Sequence, residues 1–94
     1  MANRHLSRSI VLQSLFEWDF RSYPDSEIGR ILERNLLEFA SGMSDSQFVN
    51  ELAGKVLSNR AKIDAVIEKA APEWPMAQIS IVDRNVLRIG LYEL

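Results

Sequence analysis

Ninety-four residues and 10.7 kDa allow one folding unit, and 47% hydrophobic residues are enough for a core rather than a disordered tail. Eleven basic against thirteen acidic residues give a formal net charge of −2, without the basic excess that marks a general nucleic-acid coat. The absence of Cys and the presence of a single His exclude disulfide frameworks, thiolate nucleophiles, Cys-ligated zinc and His-rich metal sites, so no metal and no cofactor is expected.

Apolar residues recur at spacings of three and four, and only four Gly and three Pro interrupt them, which predicts an all-α chain. The first helix is expected from about His5 to Phe20, with Val11, Leu12, Leu15, Phe16 and Trp18 on its buried side and Gln13, Ser14 and Glu17 pointing away. Tyr23-Pro24 should end it, because the residue before a proline avoids the helical region. A second helix follows the acidic turn Asp25-Ser26-Glu27 and carries Ile28, Ile31, Leu32, Leu36 and Phe39, with Ser41-Gly42 as its stop. Ser44-Asp45-Ser46-Gln47 has the pattern of a capping box and opens a third helix with a stripe of Phe48, Leu52, Val56 and Leu57. Ser58-Asn59 either kinks that helix or separates it from a fourth, whose stripe is Ile63, Val66, Ile67 and Ala70. Pro72 and Pro75 bracket Trp74 in a loop, after which Ser80 is placed to start a fifth helix.

On that fifth helix Val82, Val86, Leu87, Ile89, Leu91 and Leu94, with Gly90 among them, sweep roughly 200° of the wheel at 100° per residue, twice the stripe of an ordinary surface helix. The pattern reaches Leu94 with no closing Gly, Pro or basic residue, so the expectation is a single domain over 1–94 whose core is completed by further chain beyond the C-terminus or by a second copy. The first eight residues are not followed by an apolar run of signal-peptide length, and no stretch is long enough to span a membrane; a cytoplasmic location is expected.

No catalytic constellation emerges. His5 lacks a nearby acid, the carboxylates are scattered singly, and the glycines do not form a phosphate loop. Arg4, His5 and Arg8 cluster near the start of the first helix, with Arg4 and Arg8 on one face. Such a cluster suits phosphate contact, and it also suits a plain solvated helix start, although cations are electrostatically misplaced there. Asp83 falls inside the apolar arc of the fifth helix, where it serves either as a helix-start acid or as a carboxylate facing a partner. Phe16, Trp18 and Phe20 read as core, with Phe16 at the edge of its stripe and the one candidate for exposure.

Taken in order, Arg4-His5-x-x-Arg8, Val11-Leu12-Gln13-x-Leu15-Phe16-x-Trp18-Asp19, Ile63-Asp64-x-x-Ile67 leading to Trp74, and Val82-Asp83-Arg84-x-Val86-Leu87-Arg88-Ile89-Gly90-Leu91-Tyr92-Glu93-Leu94 resemble the NusB family of bacterial transcription antitermination factors. The resemblance implies a NusB-like helical bundle without the family's last two helices, and a noncatalytic RNA-binding protein. It implies pairing with NusE, a small-subunit ribosomal protein, to bind boxA RNA of ribosomal RNA transcripts within the antitermination complex of RNA polymerase. It places RNA contact on Arg4, His5 and Arg8 and the NusE surface near Phe16 and Asp83. Two alternatives stay open: the NusB-like RNA-binding domain of an rRNA cytosine methyltransferase, and a self-associating helical module that forms a homodimer through the fifth helix.

Overall fold

A computed structural model describes residues 4–39, 45–73 and 75–94. Five helices carry the fold: α1 (Arg4–Phe20), α2 (Ile28–Phe39), α3 (Ser46–Ser58), α4 (Arg60–Ala70) and α5 (Ile81–Glu93), with short 3-10 turns at Asp25–Glu27 and Met76–Gln78. No strand occurs among the described residues. The expected stop at Ser41-Gly42, Ser44 of the expected capping box, and Trp74 lie outside them.

α1 is the hub. α2, α3 and α5 all pack on it, and α4 packs against α5 and α3. Ile10, Val11, Leu15 and Trp18 of α1 meet Ile31 and Leu32 of α2, a run of Val49 to Leu57 on α3, and Ile89 of α5 in one core. The end of α1 is set by Ser22, whose φ of 55° lets the Tyr23 N–H donate to Trp18 O at 3.0 Å and the Ser22 N–H to Asp19 O at 3.1 Å. This is a Schellman-type closure, one residue before the Tyr23-Pro24 break read from the sequence. Ser58-Asn59 does separate α3 from α4, and Ser80 caps α5 by accepting the Asp83 N–H at 3.1 Å.

Several expected faces need correction. Ser14 is fully buried, not solvent-facing: its hydroxyl donates to Ile10 O at 2.8 Å and accepts from Asn35 Nδ2 at 2.9 Å, so a small polar side chain fits the helix contact once its hydrogen bonds are made. Phe20 is exposed, as is Phe16; the two rings stack on each other at 5.7 Å between centroids instead of entering the core that Trp18 occupies. Phe39, Val66 and Ala70 also lie outside the core, and on α3 Val49 and Ala53 take the buried positions beside Leu52 while Phe48 is half-buried. Asp45, one residue after the expected Ser44, is the N-cap of α3, and the Gln47 amide N–H donates forward to Glu51 at 3.0 Å. The broad arc on α5 is uncovered on one side, with Val82 46%, Val86 48% and Leu87 43% exposed.

Candidate RNA and protein interfaces

The helical rise puts Arg4 and Arg8 one turn apart on the same face of α1. That face looks onto Phe48 of α3: the Arg4 guanidinium lies 3.9 Å from the ring centroid and that of Arg8 5.5 Å. Each arginine also meets a carboxylate. Arg4 Nε stands 3.4 Å from Asp45 Oδ2, a buried carboxylate that also accepts the Ser7 hydroxyl at 2.9 Å. Arg8 donates from Nε and Nη2 to Glu93 at 2.9 to 3.1 Å in a two-pronged fork, and the hydrogen bonds and charge of Glu93 raise the pKa of its guanidinium. Both arginines remain about half exposed.

His5 lies on the other side of Arg8. It lines a cleft of about 190 Å³ between α1 and α5, together with Arg8, Ser9, Leu12, Val86 and Ile89. A second cleft of about 250 Å³ continues along the same two helices, sharing Ser9 and Leu12 and reaching Phe16 and Val82. Asp83, next to Val82, is exposed; its backbone N–H is taken by Ser80, and its carboxylate has no ion-pair partner among the described residues. The structure therefore places Arg8 and His5 together at one end of the α1/α5 face, with Arg4 one turn away over Phe48 of α3, and Phe16 and the Val82-Asp83 corner at the other end. Phe16, the aromatic at the edge of its stripe and the candidate for exposure, forms an open apolar wall.

A polar cluster missed from the sequence holds that face in shape. Asp19 of α1 accepts from Arg84 Nε at 2.6 Å and also from Arg84 Nη2, from Asn85 Nδ2 at 2.9 Å, and from Arg88 Nη1 at 3.2 Å. Arg88 reaches on to Asp64 of α4 through two bonds of 2.9 Å, and donates to Asn85 Oδ1 at 3.0 Å. Burial pushes the Asp19 pKa up, but the hydrogen bonds from Arg84 and Asn85 and the charges of Arg84 and Arg88 outweigh it and hold the carboxyl below its ordinary range. The sequence signal was the pair Arg84 and Arg88, one helical turn apart among the apolar positions of α5; cations buried there require carboxylates from another element. The same cluster frames Trp18, whose ring lies 4.9 Å from the Arg60 guanidinium and 5.8 Å from that of Arg88.

Among the described residues no group of three His, Cys, Asp or Glu side chains could hold a metal, and no helix is long and apolar enough to cross a membrane. The NusB family model matches residues 5–94. The chain is 39% identical to the transcription antitermination protein NusB of Chloroflexus aggregans over 93 residues, covering 99% of this chain and 60% of that protein. It is 40% identical to the protein of the same name from Roseiflexus castenholzii, covering 96% and 61% of the two chains, and 36% identical to that of Thermobifida fusca, covering 98% and 61%. The chain thus spans about three-fifths of the length of these curated relatives. No solved structure gives a significant match. The family match over nearly the whole chain, the level of identity and the five-helix fold agree: the chain belongs to the NusB family.

Proposed function

We infer that the chain is a noncatalytic RNA-binding module of transcription antitermination, which pairs with NusE on boxA RNA and so helps RNA polymerase read through terminators in the cytoplasm. The observation that carries this reading is the division of one face into two chemistries. Arg4 and Arg8, half exposed above Phe48, offer planar cations to phosphates and an aromatic edge to bases. The open apolar clefts from Leu12 to Phe16 and Val82, ending at the unpaired Asp83 carboxylate, suit a protein surface with a basic rim. The relatives named for antitermination support the same role. A second copy of the chain is the competing occupant of that face.

The test is binding of fluorescein-labelled boxA RNA with and without NusE across a salt series. RNA affinity should rise with NusE and fall as salt increases. Arg8→Ala should weaken RNA binding severalfold without loss of helical signal, and Asp83→Ala should weaken NusE binding while leaving RNA binding to the free chain unchanged. Indifference of RNA binding to NusE would refute the pairing. Sedimentation of the chain alone separates a homodimer from a monomer awaiting a different partner.

A further inference from the structure

We propose that Glu93 is an internal stand-in for an RNA phosphate: its carboxylate holds the Arg8 guanidinium in the resting protein and is displaced when a phosphodiester takes the same fork, so that Glu93 sets RNA affinity from within the chain. The inference rests on the RNA-binding reading and adds a residue that opposes it.

Three features of the pair carry the argument. Glu93 uses the Nε/Nη2 edge of Arg8 with both oxygens, the side-on geometry that carboxylates and phosphates share. Both partners are open to solvent, the Arg8 side chain 45% and that of Glu93 28% exposed. The pair is therefore readily exchanged: a phosphate can replace Glu93 at Arg8, while the released carboxylate returns to water. Finally, the neighbouring pair is built differently. Asp45 is buried and anchored by the Ser7 hydroxyl as well as by Arg4, whereas among the described residues the Glu93 carboxylate bonds to Arg8 alone. Of the two carboxylates facing the basic pair, Glu93 is the one free to leave. Phe48, stacked under both guanidiniums, keeps Arg8 in place during the exchange.

Glu93→Gln keeps the side-chain shape and removes the competing charge. With labelled boxA RNA as probe at moderate salt, Glu93→Gln should bind about three- to tenfold more tightly than wild type, with a salt slope steeper by about 0.7, the value for one more phosphate neutralised on a single strand. In an Arg8→Ala background the same substitution should change affinity by less than about 1.5-fold. Equal or weaker binding by Glu93→Gln, or an equal gain in the Arg8→Ala background, overturns the proposal, the second because it marks a general charge effect. Nitrogen-detected NMR of the Arg8 Nε–H in the wild-type chain gives a readout independent of the variants' folding: the resonance should move on RNA saturation, and a resonance unchanged from the free protein refutes displacement. Wild-type binding that Arg8→Ala weakens but Glu93→Gln does not improve defeats this inference alone; absence of RNA binding in both wild type and Glu93→Gln defeats the RNA-binding reading with it.

Discussion

Asp19→Asn should be the most damaging near-isosteric change in the α1/α5 contact. The side chain keeps its size, but it loses the charge that faces two guanidiniums, and its new NH2 group points a donor at donors. Asp19 is 11% exposed and Arg84 18%, while Arg88 at 7% keeps its two bonds to Asp64. Arg84 is left with one neutral amide oxygen at position 19 and the Met76 carbonyl at 3.3 Å. Removing one partner of a fully buried pair costs about 3–5 kcal/mol; residual solvent access at Asp19 and Arg84, and the retained Arg88–Asp64 pair, reduce this to about 2–3 kcal/mol. Against a total stability of roughly 5–14 kcal/mol for a chain of this size, that is a large fraction and should lower Tm by about 10–20 °C. Urea and thermal unfolding followed by circular dichroism at pH 7 measure it. An Arg84→Met change should cost less in the Asp19→Asn background than in wild type, by about 1 kcal/mol or more. A loss under about 0.5 kcal/mol for Asp19→Asn, or additivity of the two changes, would show that the network shapes the contact without stabilising it.

Three further outcomes are expected. Stability should hold from pH 7 to about 5 and fall as the pH drops below about 4: Asp19 and Glu17, the latter through its hydrogen bond from Arg34, have folded pKa values below their unfolded ones, so each contributes above the unfolded value and loses that contribution as acid protonates it in the fold. Unfolding midpoints across pH should show this, with a shallower acid limb in Asp19→Asn. Ser14→Ala should cost about 1–3 kcal/mol, because it strands the buried Asn35 amide; adding Asn35→Leu should recover part of that loss in urea midpoints. Gly90→Ala should raise stability by about 0.5–1 kcal/mol, since an added Cβ meets open space on a helix that gains from alanine. If NusE affinity drops as stability rises, the partner approaches the α5 backbone at Gly90.

The helices were legible because their punctuation was local: Ser80 before α5, the break at Ser58-Asn59, and repeated three-and-four spacing all lie within a few residues of what they control. The polar part of the core was not. Ser7 and Ser14 are a full heptad apart on the stripe that carries Val11 and Trp18, but the Ser14 hydroxyl reads as solvent-facing until Asn35 arrives from α2 to bond it, and Ser7 gives no signal until Asp45 does the same. The Asp19 cluster joins positions more than sixty residues apart, so no window of sequence contains it. The edge position of Phe16 was readable from its angle on the wheel, and its exposure follows from it; Phe20, four residues further along, shares the exposed side of Phe16 and not the buried side of Trp18. The basic pair was visible as a cluster, while its neutralising partners, Asp45 and Glu93, and its aromatic floor, Phe48, were not.

The two ion pairs at opposite ends of α1 and α5 also act as a vernier. Arg8 and Asp19 are separated by about 16 Å along α1 and their partners Glu93 and Arg84 by about 14 Å along α5, at 1.5 Å per residue, and the pairs are crossed so that the helices run antiparallel. A slip of one helical turn, about 5.4 Å, would keep only one pair in either direction: Arg88, one turn from Arg84, would take Asp19 while Arg8 loses Glu93, or Arg4, one turn from Arg8, would meet Glu93 while Asp19 loses Arg84. The observed register is thus the one that satisfies both pairs, and any ligand that claims Arg8 unfastens one of the two marks by which the alignment is kept.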